Sequence, residues 1–130
     1  MTAEGRQESA SEELARAEEE LEVAGELVAS GRYRIALTRV YFAAFHAVRA
    51  LLYASDLAPR SHSGLLHLFS LHFVKTGRYE PAAARLVARL QKYREEADYA
   101  QAFVVDEAGA REELVAAGEL VRRIAAELRR

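Results

Sequence analysis

The sequence predicts an all-α fold, one bundle of about five helices with antiparallel neighbours. Three observations predict it. Apolar residues recur at alternating spacings of three and four in successive stretches, which places them on one side of a helix turning about 100° per residue. The residues between those stretches are the Ser, Asp, Gly and Pro that start and stop helices. No segment alternates apolar and polar residues with period two over a useful length, so no strand is predicted.

Residues 1–10 are small, polar and aperiodic and read as a flexible N-terminal tail, leaving residues 11–130 as the single helical domain. From Ser11 the stripe Leu14, Ala17, Leu21, Ala24, Val28 defines a first helix ending at Gly31, a residue at ease in the left-handed conformation of a helix C-terminus. The next helix follows almost at once, so the two should form a hairpin. This second helix, Tyr33 to Ser55, is the one the others must pack around. One broad face carries Leu37, Val40, Tyr41, Ala44, Phe45, Val48, Leu51 and Leu52. Its other side is not a solvated row of Glu and Lys but Arg39, Phe42, His46, Arg49 and Tyr53. A second aromatic and cationic face predicts a partner subunit, a polar pocket or an anion. Pro59 marks a loop, and Ser61 is placed to cap a third helix, with Leu65, Leu66, Leu68, Phe69 and Phe73 before a stop at Gly77. Pro81 suits the first turn of a fourth helix, where its missing amide proton costs nothing. Leu86, Leu90, Tyr93 and Ala97 form its inner stripe, and Asp106 caps a fifth helix through Ala110, Leu114, Ala117, Val121, Ile124 and Leu128.

Composition narrows the function classes. A length of 130 residues with 51% apolar residues supports one compact core. A formal net charge of −2 gives no long-range attraction to nucleic acid or acidic membrane, so anion binding must come from a local patch. The absence of Cys removes disulfides and thiol chemistry and fits a cytoplasmic protein. No apolar run is expected to approach the roughly 18 residues of a membrane span. Glycine-rich phosphate loops, nucleophile elbows and HExxH are absent, so no cofactor is predicted. His62, His67 and His72 are spaced by five, about 140° apart on a helix, and cannot converge on a metal. His62, beside Ser61, is read as part of the helix start, and His46 as a polar group on the second face of the central helix.

The fourth helix ends in a dense polar run, Tyr93-Arg94-Glu95-Glu96-Ala97-Asp98-Tyr99. Arg94 and Asp98 can pair along one face as an ordinary surface ion pair. The neighbouring tyrosines instead favour Arg94 beside ring faces.

Taken in order, Arg39-Val40-Tyr41-Phe42-Ala43-Ala44-Phe45-His46-Ala47, Ser61-His62 with Gly64, His72-Phe73-Val74-Lys75-Thr76-Gly77 and Arg94 to Tyr99 resemble the stand-alone HEPN-domain proteins of the UPF0332 type. The resemblance implies a HEPN bundle that forms homodimers, often beside an MNT-type nucleotidyltransferase, with relatives that are toxins acting as metal-independent RNases. It implies a function as a dimeric RNA- or nucleotide-binding component, or as a non-catalytic subunit that binds the nucleotidyltransferase. The RNase motif of the superfamily is an Arg followed after four to six residues by a His. Arg94 matches that Arg, but after four intervening residues stands Tyr99. Imidazole exchanges protons near neutral pH, whereas a phenol of ordinary pKa about 10 does so poorly. Arg94, Asp98 and Tyr99 are therefore the candidate site, with His46 as the imidazole that could replace the missing one if the central helix meets the end of the fourth. Tyr99 is alternatively a target for adenylylation by the nucleotidyltransferase partner.

Overall fold

A computed structural model describes residues 2–96 and 105–130, with the backbone alone for residues 97–99. Among the described residues five α-helices follow in order: α1 (Ala3–Ala29), α2 (Tyr33–Ala54), α3 (His62–Phe69), α4 (Pro81–Tyr99) and α5 (Glu107–Leu128), with a π-helical turn, Ser70–Val74, continuing α3. No strand occurs among the described residues.

Helix α1 starts at Ala3 rather than Ser11, which corrects the flexible tail expected of residues 1–10. Thr2 caps it, its Oγ1 accepting from the Gly5 amide at 2.9 Å, and Ala10 is already core. Small polar residues there masked a helix with good local propensity and a satisfied N-terminus. The remaining boundaries follow the expected chemistry. Ser61 Oγ accepts from Gly64 N at 2.9 Å, Asp106 Oδ1 from Gly109 N at 2.7 Å, and Gly31 and Gly77 take positive φ angles of 78° and 83°.

Helix α2 is the centre of the bundle. Of its anticipated core face, Leu37, Val40, Tyr41, Ala44, Val48, Leu51 and Leu52 are buried and Phe45 is half-buried. Ala36, Ala43, Ala47 and Ala50 are buried as well, and such small residues let neighbouring helices approach closely. The pairs Glu20–Arg39, Glu13–His46 and Arg6–Asp56 run in opposite order along the two helices, which makes α1 and α2 an antiparallel hairpin. Arg89–Glu113 joins α4 to α5, and Arg78, just before α4, pairs with Glu127 near the far end of α5, which sets these two helices in the same sense. Arg129 closes the bundle by gripping both carboxylate oxygens of Glu18 on α1 at 2.9 and 2.6 Å, and holds that carboxyl below its usual pKa. Beneath the π-helical turn, Phe69, Phe73 and Tyr79 pack ring on ring with centroids 5.6 to 6.1 Å apart. Burial and the carboxylate of Glu127 push the Tyr79 phenol up to about 12.

Helix α2 also has the length and mean hydropathy of a membrane-spanning segment, but 61% of its most apolar window is buried inside the bundle. Its hydropathy is that of a core helix.

Candidate functional site

The second face of α2 is where side chains from three helices converge. Spacings of three and four bring Arg39, Phe42, His46, Arg49 and Tyr53 to one side of the helix, and all five are half-buried. Helix α1 supplies carboxylates opposite them. Glu20 pairs with Arg39 at 3.0 Å, and the buried Glu13 carboxylate lies 2.8 Å from His46 Nδ1 and 3.9 Å from Arg49. Arg49 Nε also donates to the Tyr53 hydroxyl at 2.7 Å. Two carboxylates set against three cationic or protonatable groups satisfy much of this face from within the monomer.

Helix α4 covers the other side. The Arg94 guanidinium stands over the Phe42 ring at 5.3 Å and the Tyr41 ring at 5.8 Å from their centroids, so the ring faces beside it belong to α2. The end of α4 does meet the second face of α2, as a composite site needs. Arg39 also lies over Phe42, at 5.0 Å, so one ring quadrupole faces two guanidinium groups.

Two imidazoles lie against the rings that Arg94 covers, His46 and His62. His46 is bound to Glu13 and packs against Phe42, its ring 6.2 Å away and 29° from parallel. His62, which the sequence placed in a purely local role, reaches across to α2. Its Nδ1 and the Tyr41 hydroxyl share a hydrogen bond, and its ring lies 4.8 Å from Phe45 and 5.5 Å from Tyr41. Burial pushes the His62 pKa down, and the charge of Arg94 lowers it further against the opposing pull of Glu95. Burial likewise raises the Tyr41 phenol far above its ordinary range, so it stays protonated. The sequence signals for His62 were its position after the cap and its place in the Ser61-His62 run of the family resemblance. Its partner lies 21 residues earlier, on another helix.

The side chains of Asp98 and Tyr99 lie outside the described residues. Among the described residues no group of three or more His, Asp or Glu could hold a metal ion. The site can do two things chemically. It offers a guanidinium on an aromatic shelf for a phosphate or other oxyanion, and beside it a neutral imidazole able to take or give a proton.

The model of the HEPN domain matches residues 10–128. Over 83 residues the chain is 39% identical to "Putative toxin MJ0605" of Methanocaldococcus jannaschii, covering 64% of this chain and 62% of that protein. It is 34% identical over 86 residues to "Putative toxin MJ0142" of the same organism, covering 66% and 58%. The matches thus span about three fifths of each of these two proteins. A UPF0332 protein of Thermotoga maritima is 36% identical over 92 residues, 71% of this chain and 70% of its own. A five-helix bundle organised around α2, a family match over nearly its whole length and relatives of this kind lead to one conclusion: the chain belongs to the HEPN domain family and is a member of the UPF0332 type.

Proposed function

We propose that this toxin-like HEPN protein binds RNA through a groove shared by two copies of the chain, with Arg94 gripping a backbone phosphate, and cleaves it without a metal ion. One observation carries the reading: Arg94 is half-buried on the faces of Phe42 and Tyr41, not projecting into water as a surface charge would. A guanidinium held on rings and partly desolvated keeps its fork of donors for an oxyanion, at an effective dielectric lower than that of water. The toxin names of two relatives support the same reading. An MNT-type nucleotidyltransferase is the proposed antitoxin partner, and Tyr99 is the residue it would modify.

The second reading, a non-catalytic subunit that dimerises and holds that partner, draws on Tyr99 standing where RNase members carry His. Purified protein incubated with RNA in EDTA decides between them. Cleavage that falls by about 10²-fold or more in Arg94→Ala is expected, the scale of losing one preorganised charge donor. Intact RNA with the wild type would overturn the nuclease reading, and cleavage unchanged by the substitution would place it elsewhere.

A further inference from the structure

The groups around Tyr41 form a continuous series. Arg94 lies over the Tyr41 ring, the Tyr41 hydroxyl is bonded to His62 Nδ1, and the Phe45 ring packs beside the imidazole at 4.8 Å. Guanidinium, phenol and imidazole come from α4, α2 and the first residue of α3, so three elements hold the arrangement. We propose that His62, oriented by Tyr41, is the proton-exchanging group of this site, acting on a phosphodiester that Arg94 holds. The inference rests on the reading that Arg94 binds an RNA phosphate.

The two imidazoles near α2 differ in the property that matters. His46 has a buried carboxylate, Glu13, as the partner of its Nδ1. His62 has a neutral phenol as partner, and the titratable groups acting on it from α4 are Arg94 and Glu95. It is therefore neutral at physiological pH and free to accept a proton. Engagement of Nδ1 by Tyr41 fixes the ring and leaves Nε2 for a substrate. In the cleavage step the imidazole takes the proton of the 2′-hydroxyl as the 2′-oxygen bonds to phosphorus. The bond from phosphorus to the 5′-oxygen breaks, and that oxygen leaves with the proton returned by the imidazolium. The products are a 2′,3′-cyclic phosphate and a 5′-hydroxyl, and His62 ends neutral. While charged, the imidazolium donates from Nδ1 to the phenol oxygen, which Tyr41 can accept because it is not itself ionised.

The test observes His62 directly. Full-length protein labelled with ¹⁵N-histidine is titrated with a 2′-O-methyl RNA oligonucleotide, which presents phosphodiesters but cannot be cleaved. The expected result is a shift of the His62 ring resonances and a rise in its apparent pKa on binding, both lost in Arg94→Ala. In the RNA assay, His62→Ala and the polar His62→Gln, which can keep a bond to Tyr41 and the fold, should each lower cleavage by about 10²- to 10⁴-fold. His72→Ala, which removes an exposed imidazole from the π-helical turn, should leave it unchanged. Arg94-dependent binding with His62 resonances unmoved, or full cleavage by both His62 variants, would overturn the inference and leave the Arg94 reading standing. No Arg94-dependent binding would overturn both.

Discussion

At the scale of single residues, the site works through tertiary neighbours that local spacing does not reveal. That Arg94 would sit beside rings could be anticipated from an arginine among tyrosines, but it also stands over Phe42 and Tyr41, fifty or so positions earlier in the chain. His62 was hidden for a related reason: it follows a clear N-cap, and a local role explained its presence fully. Its perturbation has a consequence for stability. An imidazole whose folded pKa lies below the unfolded value of about 6.5 binds fewer protons in the folded chain. The unfolded state is then favoured as pH falls through 6.5 and below, so this group's contribution is present above that range and lost on acidification. Removing Arg94 removes one cause of the depression. Urea midpoints of wild type and Arg94→Ala at pH 7.5 and 5.5 should therefore show a smaller acid loss in the variant, with the His62 pKa higher by NMR titration.

At the scale of elements, the helix ends carried most of the information. Ser61, Asp106, Gly31 and Gly77 act as the end signals they resemble. The start of α1 was not legible, because Thr2 is an unremarkable cap before a polar run whose helix is tied to the bundle by Ala10 and by Arg6 facing Asp56. Nor was the π-helical turn, since no Gly or Pro marks it and only the packing of Phe69, Phe73 and Tyr79 accompanies it. Two glycines give a paired prediction. Gly77 has open space around a Cβ but a φ of 83°, and Gly25 has open space within the interior of α1 and no positive φ. Gly77→Ala should destabilise by about 1–2 kcal/mol through backbone strain alone. Gly25→Ala should stabilise by about 0.5–1 kcal/mol by favouring the helix. Thermal melts of the two variants should move in opposite directions.

At the scale of the whole molecule, the all-α architecture and the central place of α2 were legible because a long apolar helix with two occupied faces permits few alternatives. What covers the second face was not, since Glu13 and Glu20 look from the sequence like ordinary members of an acidic run. They satisfy charge on that face within one chain, while Ile35, at its end, remains 53% exposed. A two-fold dimer is proposed to complete the groove. Light scattering at micromolar concentration should give a mass near twice 14.5 kDa; a mass near one chain would remove the shared groove. With a net charge of −2 and Glu95 beside Arg94, RNA affinity should come from a few close contacts, not from a broad basic field. Binding measured across a salt series should give a log–log slope of magnitude about 1 to 2.

Phe42 lies under guanidinium groups from two sources, one anchored to α1 through Glu20 and the other carried by α4. Drawing Arg94 toward a bound oxyanion would take one of these two guanidinium groups off that ring, turning an event at the tip of one helix into a change of polarity on the flank of another. The chain has no tryptophan, so Phe42→Trp would introduce its sole indole, and the indole emission would register occupancy of the neighbouring cleft without any added label.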